Sequence, residues 1–395
     1  MAFTTSTATD WLDCFADFRT FMVTTLGWTE NEYTAATAAQ EEVATAPITV
    51  AGTGYAVDDV LTLVGGTSTV TATFTVTSIG GSGDVTGVTI TTPGNYTVTP
   101  SNPAATTVAP AGGTGCTLSP TWQHRTATLS VEGAGDGATQ RVYLNFNTTF
   151  DVGNNFYTWR PYGATSYDSA LSFPSQTNAT PEVHLLLTNS SLEYWFYGNS
   201  RRVIAIVRSG SNYMSMYAGF FLPFALPSEH AFPMYVGASY PSAALPGVSN
   251  ARNSSIADPG TGTANYMRRS ALAYRQLKNH SSSGNDIAPE TGQRAFIWPA
   301  KTSNSSTSST GDITLWNNGG FASLKNNAND ESPIVQATIM DTIEGAPIGA
   351  LEGVFSTTGF ARSAEQTLTR GGRTFRLFPR AFRTNPGDFF AVEEL

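Results

Sequence analysis

The residues able to do chemistry are few in this sequence, and their spacing assembles no familiar centre. Four histidines, His124, His184, His230 and His280, stand about fifty residues apart. There is no His-x-x-x-His pair and no Cys/His cluster, so no metal site is expected. Ser228-Glu229-His230 places three catalytic residue types side by side. Sequence neighbours cannot face one another as a triad must, so the run reads as a loop coincidence. The chain has no Gly-x-Ser-x-Gly elbow and no Gly followed by Lys, which removes the nucleophile elbow and the P-loop. Glycoside hydrolysis needs two carboxylates in an aromatic cleft. The aromatic run Tyr194, Trp195, Phe196 and Tyr197 has only Glu193 beside it. The acidic pairs Glu41-Glu42 and Asp58-Asp59 read as solvated turn residues, with weak Ca²⁺ binding the other reading of Asp58-Asp59. No cofactor is expected, and the chain does not read as an enzyme.

Charge placement is more informative. Residues 1–124 hold ten acids and one basic residue, Arg19, which accounts for the whole net charge of −9. That third is not expected to touch nucleic acid, whose phosphates need Lys and Arg. Near the end, Arg370, Arg373, Arg376 and Arg380, with Arg362 and Arg383, fall within 22 residues beside one acid, Glu365. Phe375, Phe378 and Phe382 interleave them. Three readings compete: a solvated face, a contact with the acidic third of a neighbouring copy, and a single-strand nucleic-acid groove. The acidity of the chain disfavours the last.

These residues need elements to carry them. Trp11, Phe15, Phe18, Met22 and Leu26 form one apolar stripe, which predicts a helix over 10–26. Thr9 or Asp10 can cap it, and Gly27 suits its end. Trp11, Phe15 and Phe18 are aromatic knobs that want a partner, either the chain's own core or another subunit. Residues 29–46 read as a linker or second short helix. Residues 47–120 contain no Lys, Arg or His, and alternate as strands at 70–77 and 88–91. They read as a small inserted β domain. Tyr55 and Tyr96, in the echoed runs Gly54-Tyr55-Ala56-Val57 and Asn95-Tyr96-Thr97-Val98, are its candidate ligand contacts, for instance with a host-surface glycan. In the remainder, 192–197 and 202–207 flank a turn as a hairpin. The second strand is apolar enough to lie buried on both faces. Residues 268–278 suggest a short helix, and 241–265 and 300–312 suggest long polar loops.

With 13% charged residues, 37 Gly and abundant Thr, the fold class expected is mainly β. The expected form is a β-sandwich-like parent domain with an N-terminal amphipathic helix and an inserted all-β module. Residues 1–46 and 121–395 form the parent and 47–120 the insert. Cys14 and Cys116 are expected to be unpaired. No secretory leader and no membrane span are expected.

Thr7-Ala8-Thr9-Asp10-Trp11-Leu12, running on to Leu26-Gly27-Trp28, resembles the opening of tail-associated structural proteins of tailed bacteriophages. Tyr194-Trp195-Phe196 through Gly198-Asn199-Ser200-Arg201-Arg202-Val203-Ile204 is similar to the same group. So are Tyr217-Ala218-Gly219-Phe220-Phe221-Leu222-Pro223 and the run from Phe382-Arg383-Thr384 to Gly387-Asp388-Phe389-Phe390-Ala391. Residues 47–120 resemble a Gly/Thr-rich β module of phage structural proteins. The resemblance implies a virion component of tail, baseplate or collar, made in the host cytoplasm. Its partners would be copies of itself and other virion proteins, and it implies no catalytic residue. The alternative is a receptor- or carbohydrate-binding tail module.

Overall fold

A computed structural model describes residues 1–35, 41–109, 112–124, 126–135, 140–151, 156–188, 191–226, 230–239, 256, 265–268, 274–277, 295–298, 332–341, 346–359, 361–379 and 389–394. The fold is mainly β, with several antiparallel sheets and one short N-terminal helix. The chain divides into two compact units, Met1–Thr34 with Thr128–Leu395, and Ala35–Ala127.

The larger unit is built from three sheets. Its central sheet has seven described strands in the order Ala2–Ala8, Leu192–Gly198, Arg202–Ser209, Asn212–Phe220, Met234–Ala238, Asn265–Arg268 and Tyr274–Gln276. The expected hairpin is present, with Tyr197 opposite Ile204 and Glu193 opposite Arg208. Strand alternation sends Trp195 and Tyr197 to one face, where they pack with Phe378, Phe390 and Val392 of a C-terminal sheet. Tyr194 and Phe196 take the other face, where Phe196 meets Phe18 and Trp159. Residues 202–207 are accordingly buried on both sides. The sandwich is therefore doubled, with the central sheet covered on each face.

The second sheet runs Leu185–Thr188, Phe156–Ala164, Val142–Asp151, Thr128–Gly133 and Thr29–Thr34. The C-terminal sheet runs Ala295–Trp298, Val335–Asp341, Ala346–Thr357, Phe389–Glu394, Arg373–Pro379 and Thr367–Arg370, with Leu222–Pro223 paired on Ala346–Thr357. Residues 29–46, expected as a linker or second short helix, and residues 268–278, expected as a short helix, supply strands instead. Residues 29–46 supply Thr29–Thr34 and Glu41–Thr45. Residues 268–278 supply the end of one hairpin strand and all of the next, with Tyr266 opposite Gln276. Sheet pairing overrode weak local helix signals in both places. The stretches 241–265 and 300–312 lie outside the described residues, except Ile256 and Asn265.

The helix spans Trp11–Thr20, with the Asp10 carboxylate accepting from the Leu12 and Asp13 N–H groups at 2.8 and 3.0 Å. It continues as a wider π-turn, Phe21–Thr25, in which Leu26 N–H donates to the Phe21 carbonyl. That widening brings neighbours Phe21 and Met22 both inside. Gly27, at φ +71°, then ends the element.

The smaller unit carries six strands in the order Ile48–Val50, Thr117–Leu118, Ala104–Ala109, Val60–Leu63, Thr73–Ile79 and Val85–Thr92. The two ends of that path meet, because Val85 N–H donates to the Ala51 carbonyl at 3.0 Å. Four more strands run Thr121–His124, Glu41–Thr45, Asn95–Val98 and Thr67–Val70. Leu61, Leu63, Phe74, Val76, Val43 and Tyr96 share one core. The unit is wider than 47–120 because Glu41–Thr45 pairs with Thr121–His124. The alternating run 70–77 is two strands, broken where Ala72 exchanges both backbone groups: its N–H goes to Tyr96 Oη and its carbonyl accepts from Leu63.

Candidate functional site

A connected group of polar side chains lies on one face of the five-stranded sheet. Leu129, Val131, Leu144 and Phe146 point to the core, so their neighbours point the other way. Register then aligns Thr128, Asn147 and Arg160 in one rank, and Glu32, Ser130, Asn145 and Tyr162 in the next. His184 and Glu182 join from the chain leading into Leu185–Thr188. His184 Nε2 lies 2.7 Å from Glu182 Oε1, and its Nδ1 lies 3.4 Å from Thr158 Oγ1. Tyr162 Oη donates to Glu182 Oε2 at 3.0 Å, and Arg160 Nη1 stands 3.3 Å from the same oxygen. Arg160 Nε donates to Asn147 Oδ1 at 2.9 Å.

The electrostatics follow from those distances. The His184 hydrogen bond, with the charges of His184 and Arg160, holds the Glu182 carboxyl down at about 2. Burial pushes the Tyr162 phenol well up. Thr158, His184 and Glu182 have the residue types of a nucleophile, a base and an orienting acid. Thr158 Oγ1 stands 3.4 Å from His184 Nδ1 but 2.8 Å from Thr149 Oγ1, so its closer partner is another hydroxyl and not the imidazole. The arrangement is therefore suited to holding hydrogen bonds rather than to attack.

Within that buried face, some groups are left without protein partners. Asn145, 0% exposed, has neither amide atom hydrogen-bonded, and the adjacent Ser130 Oγ is also unpaired. Each such group costs about 1–3 kcal/mol if nothing else satisfies it. The sequence carried a signal for this face, namely polar residues at alternate positions: 145, 147 and 149; 158, 160 and 162; 182 and 184. A search for catalytic spacings passes over it.

The residues singled out from the sequence fare differently. Trp11, Phe15 and Phe18 are fully buried and packed inside the chain, which corrects their reading as subunit contacts. Trp11 stacks on Tyr157 at 3.9 Å between centroids, Phe15 meets Trp159, and Phe18 meets Phe146, Trp159 and Phe196. Tyr55 and Tyr96, 4% and 0% exposed, are core residues and not ligand platforms. Their hydroxyls accept from the Cys116 and Ala72 N–H groups at 3.1 and 2.9 Å. The sequence echo around them marks that shared role. Cys14 and Cys116 are both buried and unpaired.

The arginine strip is partly spent within the fold. Arg373 pairs with Glu393, and Arg376 with Glu394. In the pairing of Arg373–Pro379 with Phe389–Glu394, these are diagonal neighbours. Arg373 also lies over the Phe355 and Phe375 rings, and Arg376 over Phe3. Arg362 Nε donates to Ser332 Oγ at 3.0 Å. Arg370 lies at the hairpin end opposite Arg373 and is engaged within the fold. Arg380, Phe382 and Arg383 lie outside the described residues. A second network joins Arg208 to Glu193 and Glu365, with Tyr213 donating to Glu365. Sequence reading missed Arg202, which is 0% exposed and reaches Glu352 at 3.7 Å across to the C-terminal sheet. Burial lowers its guanidinium below the ordinary value.

Among the described residues, no group of three His, Cys, Asp or Glu is placed to hold a metal ion. No described helix is long and apolar enough to cross a membrane. No protein-family model matches the chain, and no curated protein matches it at a significant level.

Proposed function

We propose that this chain is a structural component of a bacteriophage virion, in the tail, baseplate or collar, acting through subunit interfaces. The observation that supports it best is the plan of the chain. A parent unit of three sheets is interrupted at one point by a second compact unit. Thr34 and Thr128, on either side of the interruption, are paired directly in the parent sheet. Splicing a module there leaves the parent's strand order intact, which suits a scaffold that carries an accessory domain. The resemblance of the Trp11, Trp195 and Phe220 regions to phage tail-associated proteins points the same way. In this reading the chain acts through surfaces, with itself and other virion proteins as partners, and without a catalytic centre.

The test is particle composition. Mass spectrometry of purified virions should find the chain in fixed stoichiometry, and light scattering of the isolated protein should show a defined oligomer. A monomer absent from particles would overturn the reading.

A further inference from the structure

We propose that the polar face of the five-stranded sheet is a lidded binding site for a neutral, hydroxyl-rich ligand, a saccharide unit carrying vicinal hydroxyls. Asn145 and Ser130 form its floor. This inference stands apart from virion assembly, and particle composition does not bear on it.

The floor is the first observation. Asn145 is 0% exposed, and among the described residues nothing donates to its Oδ1 or accepts from its Nδ2. Ser130, directly opposite it in register, is equally buried with its Oγ unpaired. A carboxamide offers an acceptor and two donors side by side. Two adjacent hydroxyls, each both donor and acceptor, complement that pattern. A single apolar group or a lone ion does not.

The surrounding charge sets the ligand's charge. Glu182 is engaged by His184, Arg160 and Tyr162. Glu32 accepts from Tyr167 Oη at 2.5 Å and from Thr128 Oγ1 at 3.3 Å. Arg141 pairs with Glu132 on the same face, so among the described residues each carboxylate and guanidinium there already has a partner, and a neutral ligand fits best. Tyr162 and Tyr167 supply aromatic surface beside the polar atoms, as sugar recognition requires.

The lid is the second observation. Residues 165–180 leave the sheet and return to the same place, with Thr165 N–H donating to the Thr177 carbonyl and Thr180 N–H to that of Gly163. The Gln176 amide braces the loop from inside, bonding to Asp168 and Leu171. This is a self-contained Ω-loop, a class that often carries function. Tyr167 follows Phe156–Ala164 closely, yet its hydroxyl reaches Glu32 on Thr29–Thr34, three strands away in the sheet. The loop thus crosses the face, and the Tyr167–Glu32 bond latches it.

Saturation-transfer NMR on the full chain, with the methyl glycosides of glucose, mannose and galactose as probes, tests the proposal. At least one should show saturable transfer. Asn145→Leu should weaken it at least tenfold, Ser130→Ala several-fold, and Tyr167→Phe, which frees the latch, should speed exchange. If Asn145→Leu fails to fold by circular dichroism, Ser130→Ala and Tyr167→Phe decide. No saturable transfer from wild type or Tyr167→Phe overturns the proposal. So does binding that Ser130→Ala leaves unchanged, or a soaked crystal showing only water on the Asn145 amide.

Discussion

The parent unit and the inserted unit hold themselves together with different chemistry. In the parent, a helix of aromatic residues is clamped between sheets, and ion pairs tie segments far apart in sequence, such as Arg208 with Glu365 and Arg201 with Glu352. In the insert, the described residues include no Lys or Arg. Its core is aliphatic with a few rings, and buried backbone N–H groups are met by the hydroxyls of Tyr55 and Tyr96. Thr hydroxyls bond across its strands, as between Thr75 and Thr91 at 2.6 Å. Long connections in the parent leave strand partners to be chosen at a distance, and paired charges help choose them. In the insert, even the distant pairing of Thr45 with Thr121 is joined by hydroxyls, 2.7 Å apart.

That contrast predicts two separable unfolding transitions. The largest effect should come from Phe18→Ala, which empties the space between Phe146, Trp159 and Phe196. It should cost about 3–5 kcal/mol. Calorimetry should show the parent transition falling while the insert's stays in place, and a joint fall would break the comparison. Tyr96→Phe reverses the roles. It leaves the Ala72 N–H buried without an acceptor, at about 1–3 kcal/mol, and should lower the insert's transition alone. Asp10→Ala removes the helix cap and should cost the parent about 1 kcal/mol by urea unfolding.

Acid should produce a smaller effect, confined to the parent. The Glu182 carboxyl sits at about 2, against 4.5 when unperturbed. Its contribution is present above 4.5 and fades as pH falls towards 2. The carboxylate is half exposed, so solvent screening keeps the contribution modest. Urea midpoints of wild type and Glu182→Gln should differ at pH 6 and converge only as pH falls through about 2. A constant gap would exclude this carboxylate as the source. The smallest change should follow removal of residues 35–127, with Thr34 joined to Thr128 through Asn-Gly, a pair suited to a two-residue hairpin turn. The parent transition should remain where it was.

Much of the fold was legible because it depends on local periodicity. The stripe of Trp11, Phe15, Phe18 and Met22 has helical spacing, and the alternation in 192–207 already separates Tyr194 and Phe196 from Trp195 and Tyr197. What escaped was choice of partner. Nothing near Trp11 says that Tyr157 will stack on it, so an aromatic knob reads equally as a core residue or a subunit contact. Glu393 and Glu394 stand close to the arginine strip in sequence, but only antiparallel register puts them beside Arg373 and Arg376. Residues 29–46 and 268–278 carry weak local preferences, and sheet pairing decided them.

The sequence by itself determined the mainly-β class, the helix and the presence of an insert, because composition and period act residue by residue. Tertiary structure alone decided that Tyr55 and Tyr96 are inside and that the arginines are partly paired. It also decided that Ser130, Asn145, Tyr162 and His184 share one face. Those outcomes depend on which strands meet and in what register, and strand pairing is a long-range choice that no local stretch encodes.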